Sequence, residues 1–355
     1  MFNRLMCVLV TYRKDSVMEF KKYTEIENSF NKEFMEKVIR EVPADMQYVV
    51  QEKVHGSNTS FLYDGECLEF AKRTAVLANG ENFYDQTELI PRYEEKIKAL
   101  WEEVKKAHPT ATQVQVYGEM FGGVYPHPDV KVDKKLPIIQ KGVFYTPGHE
   151  FYGFDIAIIA DGKREYLPVD EANALFEKNH IFYAKTLFKG TLAECLKYPN
   201  EFQSHISKWL GLPPIADNIC EGVVFRPVTP TYLRNGCRVL IKNKNARFAE
   251  KKRVKKHDAK LAHEVTYSDE LKSLIGEASA FVTENRLNNV LSKTGPVNMT
   301  KEFGRMMGLL SKDALTDFMK EFGSRYGALD KSEQRVLNKE LNKLCADLLK
   351  KQIYY

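Results

Sequence analysis

The chain has 355 residues, 43% of them apolar, 12% aromatic and 28% charged, with a formal net charge of +5. That describes a soluble globular protein with room for two domains, and it excludes a disordered or fibrous chain. The mild positive charge suits an acidic polymer as partner without demanding one. Six scattered cysteines contain no Cys-x-x-Cys pair, so reduced thiols are expected rather than a zinc site or a disulfide framework. No apolar run approaches the roughly 20 residues that a membrane helix needs. Leu5 to Tyr12 is short and has no small-residue cleavage site, so a cytoplasmic protein is expected.

In chain order, residues 1–17 read as an N-terminal extension. Ile26, Phe30, Phe34 and Val38 have helical spacing, and Pro43 follows, so a first helix is expected between Met18 and about Arg40. Tyr48-Val49-Val50 then leads into Gln51-Glu52-Lys53-Val54-His55-Gly56-Ser57-Asn58, and Thr59 to Tyr63 resumes a strand pattern. Lys53 thus stands where a strand leaves a sheet, and the chain bends at Gly56. A lysine amine is a nucleophile only once deprotonated. Burial or a neighbouring cation must lower its pKa from about 10.4, so other positive side chains are expected nearby.

Asp64-Gly65 joins two strand patterns as a hairpin and delivers Arg73 to a sheet edge, where its planar fork suits a phosphate. Phe83 and Tyr84 are adjacent aromatics among polar residues, readable either as a helix-entry packing pair or as a stacking contact for a nucleic-acid strand. A helix over about 87–107 precedes a strand that ends at Glu119 beside glycines, a place for a carboxylate that meets a ribose hydroxyl or a hydrated cation. Residues 122–150, punctuated by Pro126, Pro128, Pro137 and Pro147, read as a long loop. Phe154 lies on the next strand, as a core ring or a flat face for a purine. Residues 170–210 carry no recognisable chemistry.

Glu221-Gly222 opens a further strand. In the last one Lys242 and Lys244 are one strand period apart and therefore share a face. Nine lysines and arginines against two acids between positions 242 and 260 mark a basic linker, either solvated or tracking a nucleic-acid backbone. The remainder has helical periodicity, with Leu271, Leu274, Ile275 and Ala278 on one stripe and Leu337, Leu341 and Cys345 on another.

Lys53-Val54-His55-Gly56, Arg73, Glu119, Phe154, Glu221 and the pair Lys242 and Lys244 occur in the order of the motifs of covalent nucleotidyltransferases. The form with His55 and Asn58 resembles the RNA ligase 2 family of phage and trypanosome editing enzymes. The resemblance implies an α+β fold, with an antiparallel-sheet, ATP-grasp-like nucleotidyltransferase domain over 18–245. A basic linker at 246–262 and an all-helical C-terminal domain at 263–355 would follow. It implies ATP and Mg2+ or Mn2+ as cofactors, RNA, as nicked duplexes, as partner, and a monomer with no obligate protein partner.

On this sequence the resemblance makes Lys53 the nucleophile and Lys242 and Lys244 the cations that serve it. Glu52, Val54, Asn58, Arg73, Glu119, Phe154 and Glu221 would bind the nucleotide, with Glu119 and Glu221 also facing the metal. Phe83, Tyr84 and Arg286, the last in Glu284-Asn285-Arg286-Leu287-Asn288-Asn289, would contact RNA. A DNA ligase or capping enzyme, in which an Asp usually stands at the place of His55, and a non-catalytic RNA-binding module are the alternatives.

Overall fold

The computed structural model describes residues 18–249 and 267–354; the expected extension 1–17 and most of the basic linker lie outside them. The first half of the chain runs β1 (Glu27–Asn28), α1 (Lys32–Glu41), β2 (Gln47–Lys53), β3 (Ser57–Tyr63), β4 (Leu68–Lys72), β5 (Ala75–Val76) and α2 (Leu89–Ala107). There follow β6 (Ala111–Gly122), β7 (His149–Ala160), β8 (Lys163–Tyr166), α3 (Val169–Lys178), β9 (Thr186–Thr191), α4 (Leu192–Cys195) and α5 (Ile206–Trp209). β10 (Gly222–Pro227) and β11 (Ile241–Lys244) close the ligase-like part. Four helices complete the chain: α6 (Asp269–Ser279), α7 (Glu284–Thr294), α8 (Met299–Ala328) and α9 (Lys331–Tyr354).

Two sheets form, with strand orders β1-β11-β10-β2-β9 and β5-β4-β3-β6-β7-β8. All pairings are antiparallel except β1 with β11. The chain crosses from one sheet to the other at residues 54–56, so Lys53 is the last residue of its strand at the seam. In the second sheet Phe61, Val114, Val116 and Phe151 pack against Tyr93, Ile97 and Leu100 of α2 and Phe176 of α3. In the first, Val50, Val223, Phe225 and Ile241 cover Phe34, Met35 and Val38 of α1. At about 25 cal/mol per Å2 of apolar surface removed from water, these two faces supply the main drive for closing the sheets.

The expected first helix is shorter than its periodicity suggests. The Asn31 side chain accepts a hydrogen bond from the Phe34 amide and starts α1 there, which leaves Phe30 62% exposed. Upstream, residues 18–26 lie along β6 without helical bonds. Gln113 and Gln115, on one face of that strand, bond the backbones of Glu19 and Lys21 through their amides, and this carries Tyr23 toward the sheet seam. Past residue 245 the chain stays against the sheets. Ala246–Phe248 form a 3-10 turn, and Phe248 packs with Val54, Phe121 and Tyr145.

The helical part has two cores. Leu271, Leu274 and Phe281 meet Phe318, Leu337 and Leu341, and Leu287 and Val290 meet Met306, Leu310, Cys345 and Leu349. Ser268, Thr283 and Asn298 cap α6, α7 and α8. Among the described residues no helix is long and apolar enough to cross a membrane, and Cys195, Cys220, Cys237 and Cys345 are free thiols.

Candidate functional site

Register alone brings most of the site together. Lys53 on β2 pairs with Gly222 on β10, and Gly222 pairs with Lys244 on β11; one step along, Gln51, Val224 and Lys242 form the next row. Because side chains two residues apart share a face, Lys53, Lys242 and Lys244 line one cavity of about 1000 Å3, its open mouth included. The second sheet contributes Asn58 and Glu119, which are cross-strand partners on β3 and β6, with Phe154 from β7 and Arg73 just past β4. Glu52 and Val54 complete that part of the wall.

Two glycines let the strands meet. A Cβ on Gly56 would lie 2.3 Å from the Met120 carbonyl oxygen, so close approach of the backbones, more than a special turn angle, demands glycine there. Gly222, at φ +142°, would put a Cβ 2.2 Å from the Asn243 carbonyl oxygen. The long loop of 122–150 braces the same corner. Tyr145, fully buried on it, accepts a hydrogen bond from the His55 amide at 3.0 Å.

The cations expected beside Lys53 are present, and a buried carboxylate stands between them. Lys53 Nζ lies 2.7 Å from Glu221 Oε2, and Lys244 Nζ lies 2.9 Å from Glu221 Oε1, so one carboxylate bridges both amines. Burial by itself would raise the Glu221 pKa, but Lys244, Lys53 and His55 overcome it and hold this group at about 2. Glu221 is therefore a fixed negative charge and a poor base. Each of its oxygens is engaged by one lysine amine.

Glu119 is opposite in character. Burial dominates and pushes it up to about 7, against the pull of Lys53 and Arg73 and a hydrogen bond from Asn58. Among the described residues no group of three or more His, Cys, Asp or Glu side chains could hold a metal ion. One carboxylate together with substrate phosphates is nevertheless an ordinary setting for a hydrated magnesium ion, an arrangement that Glu119 fits.

Glu52 is locked below Lys53. Its carboxylate accepts from Ser204 Oγ at 2.6 Å, the His205 amide at 2.9 Å and His205 Nδ1 at 3.0 Å, in a stretch whose sequence carried no recognisable signal. At the deep end, Asp155 is fully buried and takes contacts from Tyr23 Oη at 2.7 Å, Arg238 Nη1 at 2.7 Å and Arg226 Nη1 at 3.1 Å. Burial opposes the charge on Asp155, yet the two guanidiniums keep its pKa below the usual carboxylate value. Arg226 also lines the cavity, and its Nε and Nη2 are buried with no hydrogen-bond partner. Tyr23 meets Phe154 edge-on at 4.9 Å, which holds that ring at the cavity wall. The signal for Tyr23 and Arg226 was weak, since each is a single residue in an apolar context.

Three residues expected to contact RNA are placed otherwise. Phe83 is 1% exposed in the core under the second sheet, against Gly295 of the helical part. Tyr84 is also buried, and its hydroxyl donates to the Leu291 carbonyl at 3.0 Å, so the pair ties the two parts together and neither ring faces a strand. Arg286, 1% exposed, pairs with Asp313 and, at 3.0 Å, with Asp317 on α8, which makes it a crosslink of the helical part. Conversely, Asn289, Ser292 and Lys293 of α7 reach the nucleotide-sized cavity, a role that helical periodicity could not reveal.

The RNA ligase family matches residues 46–244 and the T4 RNA ligase 2 C-terminal family matches residues 264–347. The mitochondrial RNA-editing ligase 2 of Trypanosoma brucei brucei is 30% identical over 332 residues, covering 80% of this chain and 78% of that protein. The mitochondrial RNA-editing ligase 1 of the same organism is 30% identical over 304 residues, covering 71% of this chain and 65% of that protein. A solved structure of Naegleria gruberi RNA ligase aligns with a TM-score of 0.41 and 17% identity, over 64% of this chain and 56% of that one.

Proposed function

The chain belongs to the RNA ligase family, with a C-terminal domain of the T4 RNA ligase 2 kind, and from that premise we propose that it uses ATP to join RNA 3′-hydroxyl and 5′-phosphate ends, nicks in duplex RNA above all. The observation that supports this reading is the convergence of Lys53, Lys242 and Lys244 with Phe154, Glu119 and Arg73 on one cavity. Phosphoryl transfer asks little covalent chemistry of a protein. It asks for positioning and for charge where the transition state needs it.

In the first step Lys53 Nζ, once it has given up its proton to solvent, attacks the α-phosphorus of ATP, forming the N–P bond as pyrophosphate leaves. An oxygen of the RNA 5′-phosphate then attacks that phosphorus and the lysine departs, leaving an AMP-capped end. The 3′-hydroxyl attacks the capped phosphate in turn, and AMP leaves. Lys242 and Lys244 offset charge at the α-phosphate, Phe154 offers its face to adenine, and Arg73 with Asn58 holds the incoming 5′-phosphate. Glu221 cannot take the Lys53 proton, given its low pKa. Its part is to keep Lys53 and Lys244 side by side until a triphosphate competes for them. A divalent ion, Mg2+ or Mn2+, would be held by Glu119 together with phosphate oxygens and would supply further neutralising charge.

The test is sealing of matched nicks in all-RNA, all-DNA and hybrid duplexes by the full chain with ATP and magnesium. RNA nicks are expected to be sealed in preference. Equal sealing of all-DNA nicks, or no sealing of RNA, refutes the assignment.

A further inference from the structure

A second cavity, about 640 Å3 with its mouth, lies between the ligase part and α7. It shares Lys244 and Asn289 with the nucleotide cavity, so a group bound in one stands beside a group bound in the other. Its cations are Lys141, Lys244 and Arg247, and the carboxylate among its lining residues is Glu221. Both Glu221 oxygens are already held by Lys53 and Lys244. Arg247 is paired with Asp217, so among the described wall residues Lys141 supplies the surplus positive charge.

Its donors are set on rigid supports. Asn285, Asn288 and Asn289 are spaced i, i+3 and i+4 along α7 and so project from one face. The Asn285 amide is tied to the carbonyls of Arg247 at 2.7 Å and Ala249 at 3.0 Å, which fixes that face against the ligase part. Arg247 is held in turn by two 2.9 Å bonds to Asp217. His55 lines the cavity too, its ring edge-on to Phe248 at 5.7 Å. Lys141 and Asn288 have no hydrogen-bond or ion-pair partner among the described residues. Amides and cations around a cleft are the chemistry of a multi-oxygen anion.

We propose that this cavity binds a phosphate group distinct from the one that becomes bonded to Lys53. The proposal rests on the ligase reading, which supplies two sources of that chemistry: the pyrophosphate half of ATP, or a backbone phosphate of the RNA next to the end being joined. Lys244, bordering both cavities, then serves the reacting phosphate on one side and this second phosphate on the other.

The test uses full-length Lys141→Glu and the double variant Lys141→Ala/Asn288→Ala, with thermal melting to confirm that both fold as the wild type does. Three reactions are compared with wild type: lysyl-AMP formation from ATP, discharge of lysyl-AMP by inorganic pyrophosphate, and ATP-independent sealing of a pre-adenylylated RNA nick. A tenfold or greater loss in the first two with the third intact assigns the cavity to pyrophosphate. The reverse pattern assigns it to the RNA backbone, and loss in all three with unchanged melting assigns it to both. All three reactions within twofold of wild type overturn the proposal. Wild-type protein that forms no lysyl-AMP refutes the underlying ligase reading instead, so the two failures are distinguishable.

Discussion

Lys244→Met isolates one charge at the centre of the site. Lys244 is 9% exposed in its side chain and sits 2.9 Å from Glu221. The Glu221 pKa falls from 4.5 to about 2, and at 1.36 kcal/mol per unit that is roughly 3 kcal/mol of preference for the carboxylate, spread over Lys244, Lys53 and His55. Loss of Lys244 therefore costs about 1–2 kcal/mol of stability. A depressed carboxylate pKa stabilises the fold above the unfolded value and is lost as pH falls through the folded one. The deficit is accordingly level from about pH 5 to 8 and closes toward pH 2. Domains of this size hold about 5–15 kcal/mol in reserve, so the variant stays folded at 25 °C. Its effect on chemistry is larger, because a preorganised charge at the α-phosphate acts on the transition state: lysyl-AMP formation slows about 10²–10³-fold. Denaturant melts give the first quantity and rapid-quench assays with labelled ATP the second. A folded variant that forms lysyl-AMP within threefold of the wild-type rate refutes the reasoning, and a stability loss without a rate loss makes Lys244 purely structural.

Glu119, raised to about 7 by burial, takes up a proton on folding between pH 4.5 and 7, so it subtracts stability as pH rises through that window. Glu119→Gln should remove this slope and stabilise the protein by about 1–3 kcal/mol at pH 8 but not at pH 4, read from melts at both; wild-type lysyl-AMP formation should rise through pH 7 as the carboxylate forms, and the variant's should not. Gly56→Ala drives a Cβ against the Met120 carbonyl, so a destabilisation of about 1–3 kcal/mol is expected together with a tenfold or greater loss of lysyl-AMP; normal values for both would show that the seam can widen. Arg286→Ala strands Asp313 and Asp317 and should cost about 2–4 kcal/mol, visible as faster proteolysis within 267–354. Arg286→Lys should not rescue it, since one ammonium lacks the fork that meets two carboxylates.

Much of the site was legible because it follows from strand period and order. Lys53 ends an apolar run, and Lys242 and Lys244 differ by two, so a sheet that pairs their strands must aim them together. The glycine at 56 was visible too, although its cause is the approach of β6 rather than the bend alone. What local sequence could not carry was burial decided at a distance. Tyr84 is placed by a carbonyl 207 residues away, and Arg286 by two aspartates on the next helix; in each case a short window shows a polar or aromatic residue that looks exposed. The apolar spacing of Ile26 and Phe30 continues the helical pattern of Phe34 and Val38, yet the Asn31 cap cuts it, because a side-chain bond to the Phe34 amide competes with extending the helix upstream. Glu221 was expected at the nucleotide or the metal, and only the register of β2, β10 and β11 reveals it as the bridge between two lysines.

Lys53 is the residue proposed to carry the nucleotide. Intact mass and peptide mapping after incubation with ATP and magnesium test it most directly: one AMP per chain, on Lys53, absent from Lys53→Ala together with ATP-dependent sealing, is the predicted result. AMP attached to another residue, or RNA sealed from ATP by Lys53→Ala, contradicts it.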